Sequence, residues 1–424
     1  MKKHLVYVYT CTLLLFLLSC SQKEILPVRK GVVSNTNIAI GKIDSIYSEI
    51  LGEEREIWVH VPRSARESTN PNKKYPVLYL LDGNTHFHST TALVQHLARN
   101  KKIPEMIIVG IPNTNRTLDL TPTPMSISRD GDVLPPGING GGENFTQFLQ
   151  KELIPYVEKK YAATRYRTLI GHSFGGLLTV NTLINHPDIF DSYIAIDPSL
   201  WWDNRALLKS SITVLEQKNF ERKSLFLAVA NTMRDGMDIT KVEKDTSLST
   251  DHIRSILKFK QTGIQNSQNQ LYFDWKYYPK EHHGSIPLIA SYDGLKSLFS
   301  WYEFDINAAI RKPKVTPEYL INYIEQHYAT VSKHFGYTVK PDENFINQLG
   351  YRFLSPKPSS SAKAFAFFSL NIKNYPKSAN AYDSMGDYYE SQSNTTKAIE
   401  MFTKSYAIGK NESTKRKLDR LKAH

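Results

Sequence analysis

Thiols are scarce in this chain. Of its 424 residues only Cys11 and Cys20 are cysteine, and both fall within the first twenty. Everything beyond them is without a disulfide, a thiol nucleophile or a cysteine-ligated metal. Long apolar runs are missing too: Leu5 to Leu18 is mostly apolar but too short to span a bilayer, and nothing later approaches that length. Gly and Pro, 21 each, show no enrichment, which excludes collagen-like and low-complexity chains. Neither a zinc-finger spacing nor a basic recognition helix is present. The formal charge of +12, from 53 Lys+Arg against 41 Asp+Glu, therefore points to anionic ligands or surfaces and not to nucleic acid. With 41% hydrophobic and 22% charged residues, the chain has enough apolar surface to fold as a large domain with a smaller one attached.

The N-terminus reads as an export signal. Met1-Lys2-Lys3 supplies the positive start, the apolar run follows, and Leu17-Leu18-Ser19-Cys20 resembles the lipobox of bacterial lipoproteins. That resemblance implies cleavage after residue 19 and a lipid on Cys20; an ordinary secretory peptide is the alternative. The expectation is a protein of the bacterial cell envelope, anchored on a periplasmic or surface face. Loss of Lys2 and Lys3 leaves a charge of about +10. Residues 20–37 are polar and aperiodic, as a tether would be.

From residue 38 alternating patterns begin. Ile43 to Tyr47 and Arg55 to Val61 read as amphipathic strands of a hairpin turning at Gly52. Continuous apolar runs follow at Val77 to Leu81, Met106 to Ile111, Thr168 to Ile170, Tyr193 to Ile196, Ser224 to Ala230 and Leu271 to Tyr278. Helical patterns at Phe145 to Tyr161, Leu177 to Asn185, Asp251 to Lys260 and Pro287 to Tyr302 separate several of them. Strand and helix in alternation predict an α/β fold with a mostly parallel sheet covered on both faces. After Trp301 the pattern turns wholly helical, with a start at Thr316-Pro317-Glu318. Tyr382, Met385, Gly386, Tyr389, Ala398 and Phe402 fall at tetratricopeptide spacings, and Leu349, Gly350, Phe353, Ala364 and Phe368 repeat them one unit earlier. The bland reading is an ordinary helical hairpin. The predicted division is residues 38–305, a connector at 306–344 and a helical module at 345–424, which two repeats alone would leave leaning on its neighbours.

Gly171-His172-Ser173-Phe174-Gly175 is a G-x-S-x-G sequence between an apolar run and a helical pattern. Strand, tight turn, helix is the setting that lifts a serine hydroxyl to the top of a sheet. Ser173 is therefore the candidate nucleophile, and the amide of Phe174 one candidate oxyanion donor. The base is sought after the last strand, in Glu281-His282-His283-Gly284-Ser285, with His283 preferred over His282. The acid is sought after Ser224 to Ala230, where Asp238 and Asp235 both fit, Asp238 first; a Ser–His dyad is the other possibility. The turn Asp82-Gly83-Asn84 offers the second oxyanion amide, from Gly83 or Asn84. His86 and His88 lack a third ligand at useful spacing, so no metal is expected, and they are read as lining the mouth of a loop. Arg116 and Asp119 either line the substrate mouth or form an ion pair that holds their loop. Trp201 and Trp202 either stack an acyl group or pack under a loop.

Together Leu81-Asp82-Gly83, Gly142-Glu143-Asn144-Phe145, Glu152-Leu153-Ile154-Pro155-Tyr156, Gly171 to Gly176, Asp197-Pro198-Ser199-Leu200-Trp201-Trp202 and His283-Gly284-Ser285 resemble the putative-esterase family of α/β-hydrolases. That family includes S-formylglutathione hydrolase-like, antigen-85-like and siderophore esterases. The resemblance covers about residues 40–305. It implies an α/β-hydrolase fold and a cofactor-free serine esterase; the Pro-Ser-Leu-Trp-Trp stretch is similar to the branch that opens catecholate-siderophore trilactones. An aryl or acetyl esterase acting on polysaccharide is one alternative. A binding protein with a vestigial site, its helical module docking a protein partner, is another. The tetratricopeptide-like tail lies outside the core family.

Overall fold

The computed structural model describes residues 38–67, 73–129, 131–354 and 360–423. The export signal, Cys20 and the tether lie outside the described residues. Eight strands form one sheet: β1 (Lys42–Ser48), β2 (Glu53–His60), β3 (Tyr75–Leu81), β4 (Ile107–Ile111), β5 (Ala163–His172), β6 (Ser192–Ile196), β7 (Ser224–Ala230) and β8 (Tyr272–Tyr278). Their order is β1-β2-β4-β3-β5-β6-β7-β8. The β1–β2 hairpin and the β2–β4 contact are antiparallel, and every later pairing is parallel. The hairpin turns where expected, with Gly52 at φ +68° and its amide donating to the Ser48 carbonyl at 2.8 Å.

Burial on both faces explains the continuous apolar runs. In β3, Val77, Tyr79 and Leu81 enter one core, while Leu78 and Leu80 enter another. The first core is closed by helices Gly142–Phe148, Phe174–Asn185, Trp202–Gln217 and Asp251–Gln265; the second by Gly83–Arg99 and Ile286–Leu298. The predicted helix at 145–161 is present as two α-helical pieces joined through a π-turn at Leu149–Leu153. Two long helices went unread in the sequence. Gly83–Arg99 carries His86 and His88, which therefore stand on a helix and not at a loop mouth. Trp202–Gln217 was masked by its own start: Asp203, Asn204 and Arg205 are all left-handed, with φ of 47°, 50° and 64°.

The C-terminal extension is all helical and continues the same unit, Ile40–His424. Helix Pro317–Phe335 is capped by Thr316, whose hydroxyl accepts from the Tyr319 amide, and closes at Gly336 in the left-handed region. Its Val331 and Phe335 enter the second core of the sheet, with Phe335 edge-on to Tyr166 at 4.9 Å. Beyond it come Glu343–Leu354, Ser361–Asn374, Ala379–Ser391, Thr395–Gly409 and Glu412–Lys422. One contact recurs in the first two hairpins of this array. A Cβ on Gly350 would sit 2.4 Å from the Phe368 ring, and one on Gly386 the same distance from Phe402. Each glycine admits an aromatic ring from the next helix, so the helices approach closely at matching positions of the two hairpins. Among the described residues no helix is long and apolar enough to cross a membrane.

Candidate active site

Parallel strands deliver their C-terminal ends to one edge of the sheet, and the chemistry collects there. Asp82 follows β3, Ser173 follows β5, Asp197 follows β6, and His283 lies in the loop after β8. Ser173 takes φ 61°, ψ −115°, a backbone that side chains rarely adopt. Its neighbours hold it there: its amide donates to the Ile196 carbonyl at 3.0 Å, and its carbonyl accepts from the amides of Leu177 and Ser199. Gly171 makes the turn possible, since a Cβ there would stand 2.1 Å from the Gly175 carbonyl oxygen.

The Ser173 Oγ lies 3.0 Å from Nε2 of His283. On the other side of that ring, Nδ1 lies 2.6 Å from Oδ2 of Asp197. Asp197 is fully buried. Burial alone would raise its pKa, but hydrogen bonds from His252 and His283 and the Ala230 amide hold it far below the usual carboxylate range. An ionised carboxylate only accepts, so Nδ1 of His283 carries the ring proton and Nε2 is left to receive the proton of Ser173. The backbone fixes this acid firmly. Its amide donates to Ala228 at 2.8 Å, and its Oδ1 accepts from Ala230 at 2.9 Å.

The acid expected from the sequence is thus corrected. Asp238 and Asp235 are both exposed, and the Asp238 carboxylate accepts from the Thr240 amide at 2.8 Å instead of meeting His283. Asp197 meets it, one strand earlier. The chain order serine, acid, histidine still holds. What misled was the assumption that the acid follows the strand after Ser192–Ile196; an Asp ending an apolar strand, in a stretch already singled out, was the available signal. The two adjacent histidines also separate. His282 is exposed and its Nδ1 accepts from the Gly284 amide at 3.1 Å, whereas His283 turns inward.

His172, beside the candidate nucleophile, was given no role by the sequence. Its Nε2 donates to the His283 carbonyl at 2.8 Å, and the two rings lie 4.5 Å apart. Burial first, then the neighbouring His283 and His86, push its pKa down to about 4, so at neutral pH it is an uncharged prop for the His283 loop. Burial also lowers His86, whose ring stands edge-on to His172 at 5.9 Å.

The turn offered for the second oxyanion donor adjoins the first. Asp82, at φ 53°, precedes Gly83 and Asn84, which open a helix and so lack carbonyl partners one turn back. A Cβ on Gly175 would lie 3.1 Å from Asp82 Oδ2, which brings this turn against the one carrying Phe174. Arg116 and Asp119 do not pair with each other. Arg116 grips Asp82 through Nε at 2.6 Å and Nη2 at 3.0 Å; Asp119 accepts from the buried Arg55 at 2.8 Å. The guanidinium of Arg116 also lies over Phe174 at 5.4 Å, and that of Arg129 over Trp201 at 5.1 Å. Trp202 is buried, its indole donating to the Thr123 carbonyl at 2.8 Å, while Trp201 stays half-buried. Asp197, His252 and His283 bring three possible metal-ligand atoms within 4.8 Å of one another. Those atoms are engaged in hydrogen bonds of 2.6 and 2.9 Å, a spacing that suits shared protons better than a cation between them.

The family described as Putative esterase matches residues 48–284, more than half of the chain. The chain belongs to the putative esterase family. Among curated relatives of this esterase-family chain, the ferri-bacillibactin esterase BesA of Bacillus subtilis is 33% identical over 186 residues, 40% of this chain and 64% of that one. The siderophore enterobactin esterase of Emericella nidulans is 32% identical over 201 residues, covering 43% and 63%. The match therefore spans a little under two thirds of these relatives' own length. Among solved structures, the IroE-like serine hydrolase of Shewanella oneidensis is 30% identical with a TM-score of 0.65, covering 79% of this chain and 99% of that one. The fold is that of an α/β-hydrolase with an added helical extension.

Proposed function

We propose that this chain is a serine carboxylic-ester hydrolase that opens catecholate-siderophore trilactones. The line of hydrogen bonds from Ser173 through His283 to Asp197 carries the reading. His283 takes the Ser173 proton as Oγ attacks the ester carbonyl, then gives it to the departing alkoxide. Asp197 keeps the imidazole oriented and offsets its charge while it is protonated. The amides of Phe174 and of Gly83 or Asn84 receive the tetrahedral oxyanion. Water, activated by the same histidine, releases the acyl group.

The substrate class is supported by two cation–ring contacts next to Ser173 in the chain and in the fold, Arg116 over Phe174 and Arg129 over the half-buried Trp201, whose ring lies 6.3 Å from that of Phe174. Such a surface suits a flat aromatic acid carrying negative charge. The named activities of the two curated relatives, and the net charge of +12, favour the same class. Export and a lipid on Cys20 belong to this proposal, since an envelope protein would meet such ligands on entry; a Cys20→Ser protein recovered in the soluble fraction would support the anchor.

The test uses the full chain with its natural leader removed, and Ser173→Ala as the blank. Iron-loaded and iron-free enterobactin are offered beside feruloylated and acetylated oligosaccharides, and products are read by mass spectrometry. Trilactone opening by the unmodified protein alone is the expected result. Release of ferulate or acetate with the trilactone intact would move the reading to polysaccharide esters, and turnover by Ser173→Ala would remove Ser173 from the chemistry.

A further inference from the structure

We propose that His252 is a positioning residue for the Ser173 site, fixing the Asp197 carboxylate and sharing its charge with His283. The proposal rests on the serine-hydrolase reading and adds to it a fourth member that the usual triad lacks.

The geometry is specific. Oδ2 of Asp197 lies 2.6 Å from His283 Nδ1 and 2.9 Å from His252 Nε2, so a single oxygen serves both rings. The rings stand perpendicular, 5.2 Å apart. His252 is buried, with 9% of its surface exposed, and Asp197 has none. A fully buried carboxylate without partners would be costly, and the Ala230 amide on Oδ1 plus one imidazole on Oδ2 would still leave acceptor capacity on Oδ2 unused. With His252 donating as well, Oδ2 is held on one side by a group the reaction does not move. When His283 accepts the serine proton, its partner does not swing with it.

His252 is itself anchored. It is the second residue of helix Asp251–Gln265. The preceding Asp251 accepts from Arg205 and lies 3.9 Å from both Arg129 and Arg254. Arg205 belongs to the left-handed turn after Trp201-Trp202, so that strained turn, Arg129 over Trp201 and the helix bearing His252 meet at one carboxylate. The charged and titratable groups facing the pair are thus Asp197 from the end of β6, Asp251 with its three arginines, and His172 and Ser173 at the end of β5.

The experiment needs no ester. A fluorophosphonate labels an activated serine, so its rate of reaction with Ser173 in the full chain, followed from pH 5 to 9, reports His283 directly. His252→Leu removes the donor and leaves the carboxylate's charge to His283 alone. The expected result is a plateau rate lower by roughly tenfold and a midpoint moved upward, because the carboxylate then stabilises the protonated imidazole alone. His252→Gln, whose amide nitrogen reaches the place of Nε2, should restore both. If His252→Leu fails to fold, His252→Asn decides, since its amide stops short of Asp197: behaviour unlike Gln supports the proposal, and behaviour identical to Gln overturns it. A His252→Leu protein with unchanged rate and midpoint but a lower Tm would reduce His252 to packing. Labelling of the unmodified protein without trilactone opening would defeat the substrate assignment alone; absence of labelling at Ser173 would defeat both.

Discussion

The two halves of the molecule put their awkward backbone in different places. Around the candidate catalytic edge, Asp82, Ser173, Asp197, Asp203, Asn204 and Arg205 all have positive φ without being glycine. In the helical extension, the described non-glycine residues of that kind are Lys314, Ser393 and Lys410, which lie just outside helices or cap one. Left-handed residues at helix ends are ordinary punctuation that frees carbonyls for water or caps. Left-handed residues at the ends of parallel strands, clustered on one site, aim side chains that a relaxed turn would point elsewhere. The extension is built for regular packing, and the catalytic edge sacrifices some stability to direction.

The largest expected effect separates the acids. Asp197→Asn should lower esterase kcat by about 10³–10⁴-fold, because an amide can present a donor to His283 and favour the wrong ring tautomer. Asp238→Asn, at an exposed turn, should stay within twofold of the unmodified protein (a difference of roughly 0.4 kcal/mol or less). Steady-state kinetics on one small ester measures both. Equal losses in the two variants would return the acid to the loop after β7.

Stability should move the opposite way at the nucleophile. Ser173→Gly removes the hydroxyl and also the side chain that objects to φ 61°, so activity should vanish while unfolding free energy rises by about 1 kcal/mol. The contrasting site is Gly386 in the extension. There Gly386→Ala forces a methyl against Phe402, and despite alanine's better helix propensity the fold should lose about 1–3 kcal/mol with kcat on a small ester unchanged. Denaturant titrations of the two variants test the contrast. Destabilisation by Ser173→Gly would mean that the turn stores no strain.

The same contrast explains which parts of the molecule are legible in the sequence. All eight strands were legible, the central ones because double-sided burial forces continuous apolar runs such as Tyr193 to Ile196, and β1 and β2 because one-sided burial leaves an alternating pattern. The Gly350 and Gly386 hairpins were legible because local helical spacing repeats. Ser173 and His283 could be found because a turn and a strand end frame them. The acid was sought at Asp238 because nothing local says which strand end meets His283; the burial of Asp197 and its two imidazole partners arise from residues 55 and 86 positions away. Helix Trp202–Gln217 was hidden by three left-handed residues whose reason is tertiary. His172 and His252 went unread because neither's partner is near in sequence.

The smallest effect concerns acid. Burial pushes His172 at the site and His327 in the extension down to about 4, and in the unfolded chain both return to about 6.5. In each case the folded form binds fewer protons across that interval. Stability is therefore undiminished above about pH 6.5 and falls as pH drops towards 4. The carboxylate Asp44, lowered to about 2 by Lys160 and Tyr161 against its burial, acts only below its unfolded value near 3.8, outside this window. His327 lies against Phe304 at 4.4 Å, with burial the cause of its shift. His327→Phe keeps the stacked ring and removes the proton. Between pH 7 and 4.5 its Tm should fall less than that of the unmodified protein, by about 1–3 °C, with esterase activity at pH 7 untouched. His172→Phe should flatten the same curve but disturb the His283 loop, so it alone should also cost rate. If both variants kept activity, His172 would be as remote from the chemistry as His327, and the catalytic edge would owe nothing to the residue before its nucleophile.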